Sequence, residues 1–146
     1  MYTGLLHIHN LLRWVVLIAL IFAIIKLVTK KDALKASKIL LISAHSTLVL
    51  GLFQYIFGDR GLKLIQTAGM KAAMGVHATR FWAVEHAFSM ILAITFITIG
   101  HIKYKKTGKT NPTFIFFILA LVLMLLMTPW PFRADIGRAW YPGGSM

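Results

Sequence analysis

The sequence contains no cysteine, and this absence excludes several classes of chemistry. Without a thiol, the chain cannot form disulfides, hold iron–sulfur clusters, use a thiolate nucleophile or attach haem covalently through a Cys-x-x-Cys-His motif. Histidine is the main soft ligand that remains, and the chain has six histidines. A metal or cofactor site in this chain is therefore expected to depend on imidazole.

Acidic residues are almost as scarce, since the chain of 146 residues has four of them against 16 lysines and arginines, for a formal charge of +12. At the same time 58% of the residues are hydrophobic, against about 45–50% in soluble proteins. A soluble core could not bury so large an apolar fraction. The cations flank the apolar runs, where anionic lipid headgroups are nearer partners than nucleic acid. The composition therefore predicts a lipid bilayer as the partner and no binding of nucleic acid.

Four segments are long and apolar enough to cross a bilayer, which takes about 20 residues for roughly 30 Å of hydrocarbon. They cover residues 5–28, 39–57, 81–102 and 112–129. Between the second and third, apolar residues recur at helical spacing and predict an interfacial helix over residues 61–77. The sequence therefore predicts an all-α fold with a single domain over residues 1–146, an integral membrane four-helix transmembrane bundle.

The two short links between these spans are rich in lysine. They are bordered by Lys26, Lys30, Lys31, Lys35 and Lys38, and by Lys103, Lys105, Lys106 and Lys109. The other side of the bundle has six cations spread over a longer loop and a tail. By the positive-inside rule the lysine-rich links are cytoplasmic, so both termini are expected on the opposite side of the membrane, with the interfacial helix on the outer surface.

The histidines can be placed by depth, because a helix rises about 1.5 Å per residue. His9 lies 17 residues before Lys26, and His86 lies 17 residues before Lys103, which puts both about 25 Å above the lysines. Two imidazoles at one height on different helices suit a haem held edge-on between the helices. His45 lies seven residues after Lys38, which puts it only about 10 Å above the lysines. It is an alternate ligand to His9 or His86 only if the second helix is strongly tilted.

The remaining histidines, His7, His77 and His101, are expected to be interfacial polar residues. Each intramembrane histidine, considered alone, could instead be structural and form a hydrogen bond with a neighbouring helix. Other candidate site residues share faces with His9 and His86. These candidates are Arg13, four residues after His9; Trp82, four residues before His86; and Arg80, at the mouth of the third span.

An intramembrane arginine needs an anion. Two anionic partners are possible for Arg13: the carboxylate of Glu85, in a structural ion pair, or a haem propionate. Arg80 and Arg133 are further candidates for contact with the propionates. A non-haem zinc or copper site built from His9, His86 and Glu85 is a third interpretation of the same residues.

Several stretches together resemble a family of small four-helix bacterial membrane proteins catalogued as cytochrome b. They are LHIHNLLRW near the start, AHSTLVLGLFQY in the second span, RFWAVEHAFSMILAITFITIGHIK in the third and TPWPFR after the fourth. The resemblance covers almost the whole chain. It implies a b-type haem protein in a respiratory membrane, in which His9, His45 and His86 stand where family members carry histidine. Together with the lysine distribution, this predicts the bacterial inner (cytoplasmic) membrane with both termini periplasmic.

The leading hypothesis is an electron-transfer protein rather than a stand-alone enzyme: a membrane-embedded b-type cytochrome with His9 and His86 as axial ligands of haem b. A quinol or a periplasmic donor is its expected redox partner. The alternative is a non-catalytic accessory subunit of a larger membrane complex, respiratory or secretory, with structural histidines. A homo-oligomer is a further candidate association. No nucleophile–base–acid set indicates a hydrolase, and no broken helix or inverted repeat indicates a transporter.

Overall fold

A computed structural model describes residues 2–142 of the chain. Within these residues every regular element is helical, so the predicted all-α class is confirmed. The elements are α1 (Tyr2–Val28), α2 (Leu34–Phe57), α3 (Leu62–Ala68), α4 (Met70–Gly75), α5 (His77–Arg80), a π-helical turn (Phe81–Glu85), α6 (His86–Thr107) and α7 (Thr110–Met127).

Four of the helical stretches are long and apolar enough to cross a membrane, and they correspond to the four predicted spans. Their bounds differ because hydropathy marks the apolar run, whereas the helix continues into polar flanks. Thus α2 begins at Leu34 rather than at residue 39, and α6 ends at Thr107 rather than at residue 102. Pro112 lies in the first turn of α7, where backbone N–H groups have no intrahelical acceptor, so the missing N–H of proline costs no hydrogen bond.

The predicted interfacial helix over residues 61–77 is interrupted in the structure. It consists of α3 and α4, which are separated by Gly69 with a φ of +79°. A backbone in this left-handed region does not continue a right-handed helix, and glycine adopts it without steric cost. The third span then begins with α5 and the π-helical turn instead of a regular α-helix.

The four long helices form a closed ring in which each contacts two neighbours. The α1 helix packs against α2 and α7, and α6 packs against the same two helices. Residues 29–33 join α1 to α2, and residues 108–109 join α6 to α7, so both links lie at one end of the bundle. We call this the lysine end, because the nine lysines of the two predicted links lie along it.

Side-chain hydrogen bonds hold the helices together at the lysine end. The Tyr104 hydroxyl accepts a bond of 3.1 Å from the backbone N–H of Ala33, and Ser37 Oγ lies 2.9 Å from His101 Nδ1. His101 is only 7% exposed. His101 therefore faces the inside of the bundle, where Ser37 of the neighbouring helix gives it a buried polar partner, and its interfacial depth stays a prediction.

The outer surface of the bundle is strongly apolar. Ile18 is 65% exposed, Val49 67% and Phe88 66%, whereas Leu20 and Ile97 in the core are fully buried. Large exposed apolar patches are rare on soluble monomers and indicate contact with a membrane or another protein. The surface of this bundle thus suits hydrocarbon rather than water.

Replacing Gly100 should weaken the contact between α6 and α7. A Cβ atom at this position would lie 2.7 Å from Cε1 of the fully buried Phe117. We expect Gly100→Ala to destabilise the bundle by about 1–3 kcal/mol, the usual cost of overpacking, measured by unfolding in mixed detergent. Gly4→Ala is the control, because a Cβ there meets nothing within 4 Å. Equal stability of the two variants would contradict this packing.

Candidate functional site

A cavity of about 580 Å³ lies between the four long helices, toward the end opposite the lysine end. Its volume is within the range of about 300–1,000 Å³ typical of sites for cofactors and other small molecules. The deeper part of its wall is apolar and comprises Val16, Leu17, Ala44, Leu48, Met90, Ile94 and Met124. The part of the lining farther from the lysine end, which we call the mouth, has the polar and aromatic side chains of His7, His9, Asn10, Arg13, Arg60, Trp82, His86 and Arg138.

Two of the three histidines of the candidate membrane spans that were considered as ligands share this cavity. His9 of α1 and His86 of α6 both line it. His45 does not: it lies in a separate shallow groove on the outside of α2 and α6, where its Nδ1 is 2.9 Å from the carbonyl oxygen of Leu41 in its own helix. The structure thus brings together the pair that the depth argument selected and separates the alternate histidine from it.

The π-helical turn positions His86. Its backbone N–H donates to the carbonyl of Phe81, five residues earlier, and its ring lies 5.6 Å from the ring of Phe81 and 5.8 Å from that of Trp82. His86 Nδ1 is 2.8 Å from the carbonyl oxygen of Met127. Because a carbonyl only accepts, Nδ1 carries the proton in this bond, and Nε2 keeps its lone pair. Histidines that bind metals are commonly held in this way.

The end of α7 supplies the carbonyl that His86 uses. Pro129 has no N–H, so carbonyls in the last turn of the helix must find other donors. Trp130 Nε1 donates to the carbonyl of Leu125 at 2.7 Å, and Arg133 Nη1 donates to that of Leu126 at 2.8 Å. The Met127 carbonyl remains for His86. The Pro-Trp-Pro stretch therefore affects the orientation of His86, because it ends α7 and leaves the Met127 carbonyl free to accept from the imidazole.

The His9 ring lies against a glycine of the neighbouring helix. A Cβ atom at Gly51 would come within 3.1 Å of His9 Cε1, so the absence of a side chain there makes room for the imidazole. The backbone of Thr47 lies beside the ring. His9 Nδ1 is nevertheless buried without a hydrogen-bond partner among the described residues. An unpartnered polar atom beside a cavity is an expected feature of a site that binds a ligand.

Arg13 binds the C-terminal segment, which we define as residues 130–142. Its Nη2 donates to the carbonyls of Ala139 and Trp140 at 3.2 and 3.0 Å. Asn10 Nδ2 and Trp14 Nε1 donate to the same two carbonyls at 3.2 and 2.7 Å. The alternative ion pair between Arg13 and Glu85 is therefore wrong, because main-chain carbonyls of a segment distant in sequence take the place of the carboxylate.

Arg80 and Glu85 form their own ion pair, with 2.6 Å between Nε and Oε1. Arg80 also donates to the carbonyl of Met74, and it does not line the cavity. Among the described residues, no group of three histidine, cysteine or acidic side chains is placed to hold a metal ion. The zinc or copper site predicted from His9, His86 and Glu85 is therefore wrong, because Glu85 lies against Arg80.

The sequence did not indicate two arginines that line the cavity. The guanidinium carbons of Arg60 and Arg138 lie 5.0 and 5.2 Å from the ring centroid of Trp82, which also lines the cavity as a predicted site residue. Arg60 follows α2 and Arg138 lies in the C-terminal segment. The predicted topology placed both arginines at the end opposite the lysine end, but no spacing in the sequence showed that they line a cavity.

The contacts of Arg13 should hold the C-terminal segment in place. We expect Arg13→Met to speed hydrogen exchange at the amides of Gly137 and Arg138, which bond to other residues of the same region, by about tenfold or more. The reason is the loss of two hydrogen bonds from a charged donor. Lys26→Met, which removes a cation from the other end of α1, is the control. Unchanged exchange in Arg13→Met would show that the segment is held without this residue.

No family model, curated protein or solved structure matches this chain.

Proposed function

We propose that this chain is a membrane-embedded b-type cytochrome that carries single electrons, with His9 and His86 as axial ligands of haem b. The observation that carries the proposal is that these two imidazoles, from helices on different sides of the bundle, line one cavity of about 580 Å³. The sequence resemblance to the small four-helix cytochrome b proteins points in the same direction.

The residues of the cavity fit this group in three respects. His86 donates through Nδ1 to a carbonyl and keeps Nε2 as a ligand atom, and His9 Nδ1 has no partner among the described residues. The deeper wall is apolar, as a macrocycle requires. The mouth has arginines, which complement carboxylates, and among them Arg13 also has a buried Nε without a partner in the described part of the chain.

Haem, when bound, supplies a reversible one-electron change at iron. The chain supplies the surroundings that set its potential. The Met127 carbonyl fixes the orientation of His86 and increases the basicity of its ring. Apolar side chains such as Leu48 and Met124 keep water away from the deeper part of the cavity. Since the mouth lies at the end opposite the lysine end, a quinol or a periplasmic donor would exchange electrons there.

The proposed orientation places the lysine end in the cytoplasm and both termini in the periplasm of a bacterial inner membrane. The support is the concentration of the nine link lysines at one end, which the positive-inside rule assigns to the cytoplasmic side. In this orientation α3 and α4 lie at the outer surface, beside the mouth of the cavity.

A second candidate function, an accessory subunit of a larger respiratory or secretory membrane complex, is favoured by a different observation. His45 and Ser46 are exposed on the outer surface of α2, in the groove that also contains Thr98. Polar side chains that face lipid are costly unless another helix supplies partners. Stable co-purification with such a complex, with no cofactor in the preparation, would support this alternative.

The histidine roles can be separated by substitution. We expect His9→Ala and His86→Ala each to remove the haem or convert it to the high-spin form, because each deletes one axial nitrogen. His45→Ala is the matched control, because it removes an intramembrane histidine outside the cavity and should leave the spectrum unchanged. The measurements are reduced-minus-oxidised difference spectra and pyridine haemochrome assays of protein purified from haem-replete cells.

Added imidazole distinguishes a lost ligand from a misfolded protein. In the two cavity variants it should restore a low-spin spectrum, because a free ligand can occupy the space left by the deleted ring. Wild-type protein that lacks both a b-type α-band and extractable haem would reject the cytochrome. Loss of haem in His45→Ala would instead reject the assignment of the two ligands.

The absence of cysteine makes the orientation directly testable. We expect Lys63→Cys, in α3, to react with a membrane-impermeant maleimide in intact spheroplasts. Lys106→Cys, at the lysine end, should react only after the membrane is permeabilised. The expectation follows from the positive-inside rule, and the opposite pattern of labelling would invert the topology.

A further inference from the structure

Three buried polar atoms of α1 have no hydrogen-bond partner among the described residues. They are Nδ1 of His9, Oδ1 of Asn10 and Nε of Arg13. All three residues line the cavity. An unpaired polar atom away from water is costly, so a cluster of such atoms beside a cavity indicates that a ligand completes their hydrogen bonds.

Asn10 and Arg13 are held by one carbonyl group. Asn10 Nδ2 and Arg13 Nη2 each donate to the carbonyl of Ala139 at 3.2 Å, and Nη2 also donates to that of Trp140 at 3.0 Å. The guanidinium carbon lies 5.2 Å from the ring centroid of Trp14. These contacts leave Oδ1 as the free acceptor of Asn10 and Nε as a free donor of Arg13, at one part of the cavity wall.

The His9 ring lies toward a different neighbour of α1. A Cβ atom at Gly51 would come within 3.1 Å of His9 Cε1, so the ring lies against α2, whereas Asn10 and Arg13 contact the C-terminal segment. The proposed haem site and the Asn10–Arg13 pair are therefore adjacent parts of one cavity. Because His9 and Asn10 are consecutive residues, a ligand on this pair would lie beside an axial ligand of the haem.

The two free atoms define the chemical group that they bind. Asn10 Oδ1 can only accept a hydrogen bond, and Arg13 Nε–H can only donate one. A carboxylate or a ketone would satisfy Arg13 but has no proton for Asn10, and an ammonium group has a proton but no lone pair for Arg13. A hydroxyl group donates and accepts through one oxygen, so it satisfies both atoms.

The position of the pair limits the size of the ligand. Both atoms are buried, so a protein that docks on the surface of the bundle cannot reach them. The ligand must enter a cavity whose deeper wall, from Val16 to Met124, is apolar. A quinol has an apolar ring and tail, with hydroxyl groups on the ring. Of the two electron donors compatible with the proposed function, a quinol is the one that fits these atoms.

We propose that Asn10 and Arg13 form a hydroxyl-binding subsite for a quinol, in which Asn10 Oδ1 accepts from one hydroxyl and Arg13 Nε donates to the same oxygen. The inference rests on the proposed function, because it names the electron donor of the haem. One quinol gives its two electrons to two ferric haems, one to each, and becomes a quinone after releasing two protons to water. The quinone has no hydroxyl for Asn10, so the subsite favours the substrate over the product.

A redox-stable pair of probes isolates the hydroxyl contact. 4-Decylphenol and its methyl ether differ in one O–H group, and each is equilibrated with nanodiscs of zwitterionic lipid, with or without haem-free protein. Mass spectrometry gives the protein-bound amount. We expect the wild type to prefer the phenol, and Asn10→Leu to reduce this preference by about tenfold, the usual effect of losing the partner of a buried donor. Comparing ratios between proteins cancels the partitioning of each probe into lipid.

Arg13→Met should have a different effect from Asn10→Leu. The oxygen of either probe can accept from Arg13 Nε, so this variant should weaken the binding of both probes and change their ratio less than Asn10→Leu does. Wild-type affinity for both probes in Arg13→Met would contradict the role of Arg13 as the donor.

Trp14→Phe is the matched control, because Asn10→Leu also removes a hydrogen bond to the C-terminal segment. Trp14 Nε1 donates to the carbonyl of Trp140 at 2.7 Å, and Trp14 does not line the cavity. The preference of Trp14→Phe for the phenol should equal that of the wild type. An equal preference in the wild type and in Asn10→Leu would overturn the subsite. A similar loss in Trp14→Phe would also overturn it, because the effect would then come from the segment.

Haem-loaded protein tests the quinol itself. At low concentrations of duroquinol, we expect Asn10→Leu to reduce the second-order rate constant of haem reduction by about tenfold, whereas dithionite should reduce both proteins at equal rates. A phenol preference that depends on Asn10, together with an unchanged rate with duroquinol, would reject the quinol and assign the subsite to a lipid with a hydroxyl group.

The two proposals fail in different ways. A bis-imidazole haem spectrum in a protein whose phenol preference does not depend on Asn10 rejects the subsite alone. A phenol preference that depends on Asn10, in a protein that binds no haem, supports the hydroxyl-binding subsite and rejects the cytochrome. Absence of both the haem spectrum and the phenol preference rejects both proposals.

Discussion

The carbonyl groups at the end of α7 are the constraint on which the candidate site depends. A chain that ends a helix at Met127, two residues before a proline, must find donors for the carbonyls of the last turn that no main-chain N–H reaches. Trp130 and Arg133 return from the C-terminal segment to supply two of them, and His86 of the neighbouring helix supplies a third through Nδ1. The same bonds therefore stop the helix, begin the fold of the C-terminal segment and set the orientation of the imidazole beside the cavity.

The cavity exists because the two halves of the bundle are packed differently. Toward the lysine end, large side chains such as Leu20, Leu40 and Phe117 are fully buried and fill the interior. Toward the other end, the facing positions are small, as at Ala44 and Gly51, and leave space between the helices. The C-terminal segment lies across part of that space, because Asn10, Arg13 and Trp14 hold its carbonyls, and a cavity results instead of an open cleft.

The sequence was most informative where one physical quantity decides the outcome. Hydropathy located the four spans, and the constant rise of a helix placed His9 and His86 at one level. The partners of side chains were less predictable, because they depend on the rotation of each helix and on the course of the loops. The π-helical turn before His86, the partner of Arg13 and the position of Arg60 at the cavity wall are therefore visible only in the folded structure. So is the burial of His101, which hydropathy alone could not separate from an interfacial position.

The small number of acidic residues affects the cavity as well as the predicted topology. Two of the acids at the end opposite the lysine end lie next to cations outside the cavity, Asp59 beside Lys63 and Glu85 beside Arg80, and Asp135 lies 3.9 Å from the ring of His77. None of them lines the cavity, where Arg13, Arg60 and Arg138 do. The excess of positive charge thus has two parts with different residue types. Nine of the eleven lysines lie at the lysine end, and three of the five arginines line the cavity, where a planar guanidinium can donate hydrogen bonds in a fixed geometry.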